Sequence, residues 1–249
     1  MCTKRNSSDS SLKTSTASVR HAFRTAQLTA LATLVLFWGG MIHCRALTFT
    51  NLQVLWAFPT HYPTGIPYTA LLESSDGFLY GTTHGGSSVS DLGAIFAIDK
   101  SGANFSLVHQ FVATEGSTPS APVIEATNGV LYGTTLSAGL DGGGSVFRVK
   151  DDGLGFRVVH GFTLATNDGG GAAAALLQAS DGLLYGTSQY GGIGGGVVFR
   201  MDVAGSNFVV LHSFTNTEGI FPQAALMEGT NGALYGTTYQ GGQFHVGSA

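Results

Sequence analysis

Three histidines stand at matched places in the chain: His109, His160 and His212 each follow one phenylalanine by four residues and precede another by two. Imidazoles repeated in this way could converge on a common axis and hold zinc through their ring nitrogens. Their surroundings argue for another use. In "FRVVHGF" the residues Phe156, Val158, His160 and Phe162 alternate, so the histidine shares a strand face with apolar side chains. A fourth copy, "LQVLWAF" from Leu52 to Phe58, carries Trp56 in the same place. A ring that can stand in for histidine marks a packing position.

Acids recur as well, at Glu73, Glu125 and Glu228, with Gln178 in the remaining copy. A ring of carboxylates could bind calcium or work as acid–base pairs. Each follows two apolar residues near a turn, where a solvated side chain is expected, and the glutamine would disable a paired mechanism. The cluster "GGIGGG", Gly191 to Gly196, lacks the spacing of a dinucleotide loop and the aspartate of calcium-binding nonapeptides. The serine elbow G-x-S-x-G is absent. No catalytic residue, cofactor site or metal site is therefore expected. The remaining candidates are His84, Tyr190 and Tyr239, aromatic rings beside Gly-Gly that could stack on a sugar.

The elements that position these residues follow from a repeat. "DGFLYGTT", "NGVLYGTT", "DGLLYGTS" and "NGALYGTT" place Tyr80, Tyr132, Tyr185 and Tyr235 at spacings of 52, 53 and 50 residues. Downstream of the first three come "AIFAID", "SVFRVK" and "VVFRMD", then the histidine-bearing stretches. Each unit reads as four strands. An apolar run such as "ALLQAS" enters a type I′ hairpin at Asp-Gly or Asn-Gly, and the "LYGTT" strand leaves it. A glycine-rich loop, the "VFR" strand, a short turn and the "F-x-V-x-H-x-F" strand complete the unit. Four antiparallel strands in about 50 residues is the size of one β-propeller blade. The expected fold is all-β, a β-propeller-like array of about four four-stranded blades.

Composition agrees with many short strands and tight turns, with 37 glycines and only 10% charged residues. Residues 1–46 differ. They hold six basic residues against the single acid Asp9, and the uncharged run "TALATLVLFWGGMI" precedes Arg45. This reads as a signal peptide cleaved after Ala46, or as a retained N-terminal anchor. Both cysteines, Cys2 and Cys44, fall there, so the remainder forms no disulfide of its own. Beyond Ala46 stand 5 basic and 14 acidic residues, a net charge of −9 that disfavours nucleic acid. Contact with a membrane is expected only through the N-terminal segment or through a C-terminal anchor outside these residues.

The stretches "SDGLLYGTS", "GGGVVFRMD" and "FVVLHSF" resemble the GloVer tandem repeat of choice-of-anchor bacterial surface proteins, over roughly Leu52 to Gly242. The resemblance implies a secreted or surface-attached repeat protein with no established activity, so it brings no catalytic residues. Repeats are expected in residues 47–249, with units near 68–114, 121–165, 172–217 and 222–249. Residues 51–58 match a fourth strand and are expected to serve as a closing strand. The fifteen strands expected in all fall one short of a four-bladed ring, so further blades are expected beyond Ala249. The expected role is an extracytoplasmic binding or scaffold module for an unknown protein or glycan partner. The alternatives are a polysaccharide-acting enzyme in the same compartment and a purely structural surface array.

Overall fold

The computed structural model describes residues 53–58, 65–85, 91–163, 168–244 and 246–249. Residues 1–46, expected to be a signal peptide or N-terminal anchor, lie outside them. Among the described residues there is no helix, and so none long and apolar enough to cross a membrane. The fold is all-β and built as the repeat predicts. The first sheet contains β1 (Ile66–Pro67), β2 (Leu72–Glu73), β3 (Leu79–His84), β4 (Ala94–Ile98) and β5 (Phe105–Gln110). The second contains β6 (Ile124–Glu125), β7 (Leu131–Thr135), β8 (Gly142–Val149) and β9 (Arg157–Thr163). The third contains β10 (Leu177–Gln178), β11 (Leu184–Ser188), β12 (Val197–Met201) and β13 (Val209–Ser213). A last sheet pairs β14 (Met227–Glu228) with β15 (Leu234–Tyr235). All pairings within these sheets are antiparallel and join neighbours in sequence, apart from the additional β1–β3 pair.

The turn at Asp-Gly differs from expectation. A type I′ turn needs positive φ at both central residues, but in the first hairpin Gly77 has φ +86° while Asp76 does not enter that region. Gly77 N–H donates to Ser74 C=O (2.9 Å) and Ser74 N–H to Phe78 C=O (3.0 Å), so a type I turn is closed by a left-handed glycine. The aspartate stabilises the turn through its side chain. Asp76 Oδ1 accepts from Phe78 N–H (2.9 Å), and Asn128 Oδ1 does the same for Val130 N–H (3.1 Å).

Successive sheets bury both faces of their middle strands against each other. One core joins Tyr80, Ile95 and Phe111 of the first sheet to Leu131, Phe147 and Val149 of the second. The next joins Tyr132, Val146 and Phe162 to Leu184, Phe199 and Met201. Neighbours in sequence, such as Val146 and Phe147, thus face opposite blades, as a period of two requires. Residues 53–58 carry no assigned strand, yet Trp56 stacks on Phe105 with centroids 4.5 Å apart.

Candidate functional site

The "LYGTT" strand proves to be structural at every position. Asp76 Oδ2 accepts from Tyr80 Oη (2.7 Å); burial, together with this carboxylate, raises the phenol's pKa. Where asparagine replaces aspartate the polarity reverses: Asn128 Nδ2 donates to Tyr132 Oη (3.0 Å), which in turn donates to Val203 C=O in the next blade (2.8 Å). The glycine lies beneath a ring. A Cβ on Gly81, Gly133 or Gly186 would stand 2.4 Å from Cζ of Phe96, Phe147 or Phe199. The first threonine reaches the next blade, Thr134 Oγ1 donating to Ala174 C=O (3.0 Å). The second holds its own sheet, Thr135 Oγ1 accepting from Ser145 N–H (2.9 Å).

His109 and His160 occupy blade interfaces, while His212 meets only Phe214 of its own repeat among the aromatic rings. His109 stacks on Phe156 (3.5 Å, 7°) and His160 on Phe208 (3.7 Å, 5°), each an outer-strand ring on the first phenylalanine of the next outer strand. Trp56 on Phe105 is the same contact. Carboxylates meet the free edges of the rings: Glu115 lies 2.8 Å from His109 Nε2, Asp168 3.4 Å from His160 Nε2, and Glu218 3.6 Å from His212 Nε2. Burial lowers the His160 pKa, against the pull of Asp168. No group of three potential metal ligands occurs among the described residues.

The recurring acids are not idle surface groups, and the expectation that they are merely solvated is corrected. Glu125 accepts from Ser75 N–H (2.8 Å), Ser75 Oγ (2.5 Å) and Ser74 Oγ (3.0 Å) in the hairpin of the preceding blade. Glu228 repeats this on Ser180, with its N–H at 2.8 Å and Oγ at 2.5 Å. Gln178 accepts from Thr127 N–H (2.7 Å). The position needs an acceptor rather than a charge, which is why glutamine serves. In the first blade Glu73 pairs instead with Lys100 (2.5 Å). The Ser75 hydroxyl is the largest influence holding the Glu125 carboxyl below its usual range. Its contribution to stability is therefore present above the unfolded carboxylate value of about 4.3 and lost as pH falls through the lower folded value. Glu125→Gln is expected to flatten that acid limb of a pH–stability profile measured by urea melts. An unchanged limb would remove Glu125 from the account.

The three rim candidates are only partly brought together. His84 ends β3 half-buried, its ring 5.8 Å from Tyr68. Tyr190 lies one register step away from the His84 and Tyr239 position, because Tyr190 pairs with Gly170 as Gln240 pairs with Ile220. His84 and Tyr190 each directly precede a glycine, which hides their offset, whereas Gln240 stands between Tyr239 and its Gly-Gly; adjacent strand residues face opposite ways. Phe221 links the two tyrosines. Its ring meets Tyr190 edge-on (5.9 Å), and its C=O accepts from Tyr239 N–H (3.1 Å).

Phe221 is a site residue that sequence reasoning missed. Its φ of +57° is rare for an aromatic residue, and Gly171 (+65°) and Thr118 (+59°) hold the same place in their blades. Each of the three donates its N–H to the loop of the preceding blade, Phe221 to Gly195 C=O (2.8 Å). Gly171 at the matched position was the available signal.

Charge divides between the two ends of the blades. All five basic residues beyond Ala46, Lys100, Arg148, Lys150, Arg157 and Arg200, lie toward the hairpin end, as pairing of Arg148 with Tyr132 and Arg200 with Tyr185 shows. The opposite end holds Asp91, Glu115, Asp141, Asp168 and Glu218, and no lysine or arginine among the described residues. Tyr68 (71% exposed), Tyr190 (49%) and Tyr239 (63%) stand at that end.

Blades of four antiparallel strands, meshed face to face and carrying variable loops at one end, define a β-propeller-like repeat protein. The chain belongs to the Gloeobacter/Verrucomicrobia repeat family, which it matches over residues 40–249. No curated protein matches the sequence. Solved structures of similar fold include the extracellular domain assigned to a one-component system of B. thetaiotaomicron (11% identity, TM-score 0.48, covering 70% of this chain and 21% of that one). A gluconolactonase of Xanthomonas campestris (18%, 0.44, 69% and 56%) and the nidogen/laminin complex (16%, 0.45, 66% and 53%) are also similar. This chain thus spans from about a fifth to just over half the length of these proteins. At such values none bears on what it binds.

Proposed function

We propose that this protein is an extracytoplasmic binding or scaffold module whose loop end takes a neutral glycan of a cell surface. One observation carries the reading: exposed tyrosines share the end of the blades that holds carboxylates and no basic side chain. Flat rings stack on the apolar faces of sugars, carboxylates accept from their hydroxyls, and the missing cations leave nothing to attract a polyanion. Rigid blades with variable loops suit presentation of such a surface. The recurring acids Glu125 and Glu228 are engaged in joining blades, so no observation favours hydrolysis.

The test is affinity electrophoresis through neutral and anionic polysaccharides. Retardation by a neutral polysaccharide is expected, with Tyr190→Ala and Tyr239→Ala each weakening it by about fivefold or more, since losing a stacked ring removes on the order of 1 kcal/mol. Both variants are expected to melt within about 2 °C of the parent, as exposed substitutions do. Equal retardation of all three proteins, or retardation by anionic polysaccharides alone, would reject the proposal.

A further inference from the structure

Phe221 holds a backbone conformation that suits glycine. In the left-handed region a Cβ crowds the following carbonyl, which disfavours residues with a side chain. Gly171 fills the matched place in the third repeat with φ +65° and makes the same bond, donating its N–H to Gly143 C=O (2.8 Å) as Phe221 donates to Gly195 C=O (2.8 Å). Glycine thus meets the needs of the backbone at this place. The phenyl ring is kept against the local preference, and strain of this kind gathers where a ligand is held.

What the ring meets is Tyr190, with centroids 5.9 Å apart and planes at 69°. Tyr190 is held from a second side as well. A Cβ on Gly171 would lie 2.8 Å from Tyr190 Cδ2 and 3.0 Å from its Cε2, with Leu136 Cδ1 of the second repeat at 3.6 Å. The register sets Tyr190 opposite Gly170, as it sets Ser137 opposite Ser117 and Gln240 opposite Ile220. Among Thr118, Gly171 and Phe221, the three left-handed residues that follow, the glycine is the one beside the tyrosine. The tyrosine ring takes the space of the missing Cβ, and the residue is still 49% exposed.

We propose that Tyr190 is a preformed sugar platform and that Phe221 is its positioning residue, so that the platform is complete only where the third and fourth repeats meet. This rests on the reading of the loop end as a surface for a neutral glycan. A ring fixed before the ligand arrives loses less freedom on binding. Gly171 and Phe221 fix this ring from two sides while leaving about half of the residue open to a sugar.

The test has one readout that needs no sugar and one that does. In protein carrying isotope-labelled tyrosine, the Tyr190 ring signal is assigned by its loss in Tyr190→Phe. It is expected to lie away from the position of solvated tyrosine and to move toward it in Phe221→Gly. That variant keeps the backbone bond, as Gly171 shows, and is expected to melt within about 2 °C of the parent. In affinity electrophoresis through mixed-linkage β-glucan and galactomannan, Phe221→Gly is expected to weaken retardation about threefold, within the range an edge-on aromatic pair is worth. Phe221→Tyr is expected to keep the parent's retardation. On a Tyr190→Ala background Phe221→Gly is expected to cost nothing further, since its ring acts through Tyr190. A Tyr190 signal unmoved by Phe221→Gly, equal retardation of parent and Phe221→Gly, or further weakening on the Tyr190→Ala background would overturn the positioning role and leave the glycan reading standing. A parent that neither polysaccharide retards would overturn both.

Discussion

Replacing Gly133 by alanine is expected to lower stability by about 2–3 kcal/mol, although the backbone there is ordinary strand and the change adds one methyl group. The reason is space. The new Cβ would stand 2.4 Å from Phe147 Cζ, too close to be tolerated, with Cε1 at 3.0 Å and Cε2 at 3.1 Å also tight. Phe147 is fully buried and wedged by Phe111 (5.1 Å, edge-on) and Phe156 (5.8 Å), so it has nowhere to turn. Phe147→Leu in the same chain makes room for the methyl group. The double variant is expected to lose at least ~1 kcal/mol less than the two single losses added together, the coupling expected of residues in contact. Urea midpoints check this directly. A Gly133→Ala midpoint equal to the parent's would show that the ring does not rest on the glycine.

The second large effect concerns His160. Replacement by serine is expected to cost about 2–3 kcal/mol, because the ring that fills the space between Phe162 and Phe208 is lost. Replacement by phenylalanine is expected to cost less than about 1 kcal/mol, as the swap conserves volume and Trp56 already performs the same stacking on Phe105. The two variants separate packing from metal binding, since a ligand role would be lost in both. Excess zinc is expected to leave the parent's melting midpoint unmoved, whereas a zinc site would raise it by mass action. A pH effect accompanies the packing. Burial lowers the folded pKa of His160, so its contribution is present above the unfolded value of about 6.5 and lost as pH falls through the lower folded value. His160→Phe is expected to remove that part of the slope. A zinc-dependent rise in the parent, or a phenylalanine variant as weak as the serine one, would end the packing account.

Legibility in the sequence followed the range of each interaction. Strand order and blade size were readable because "LYGTT", "VFR" and the histidine stretch each carry their own period-two pattern, and a unit is complete within about 50 residues. The role of His160 was readable for the same reason, since its neighbours Val158 and Phe162 declare its face. The turn type was misjudged because Asp-Gly serves both type I′ and type I turns, and only the φ of Asp76 separates them. Glu125 looked solvated because its partners, Ser74 and Ser75, belong to the blade before it, 50 residues away. Tyr190 and Tyr239 were grouped because both stand near a Gly-Gly pair, and the strand register, which sets the facing of each ring, separates them.

What the sequence determined by itself is therefore the repeat: four strand types, their order, and the alternation that makes each middle strand apolar on both faces. The tertiary structure alone decided what those faces meet. Tyr132 finds its acceptor in Val203, 71 residues on, and Phe221 takes a left-handed backbone because the preceding blade's loop claims its N–H. Periodicity records which side of a strand a residue occupies, while the partner across a blade interface is set by how whole sheets stack, and no pattern within one unit encodes that.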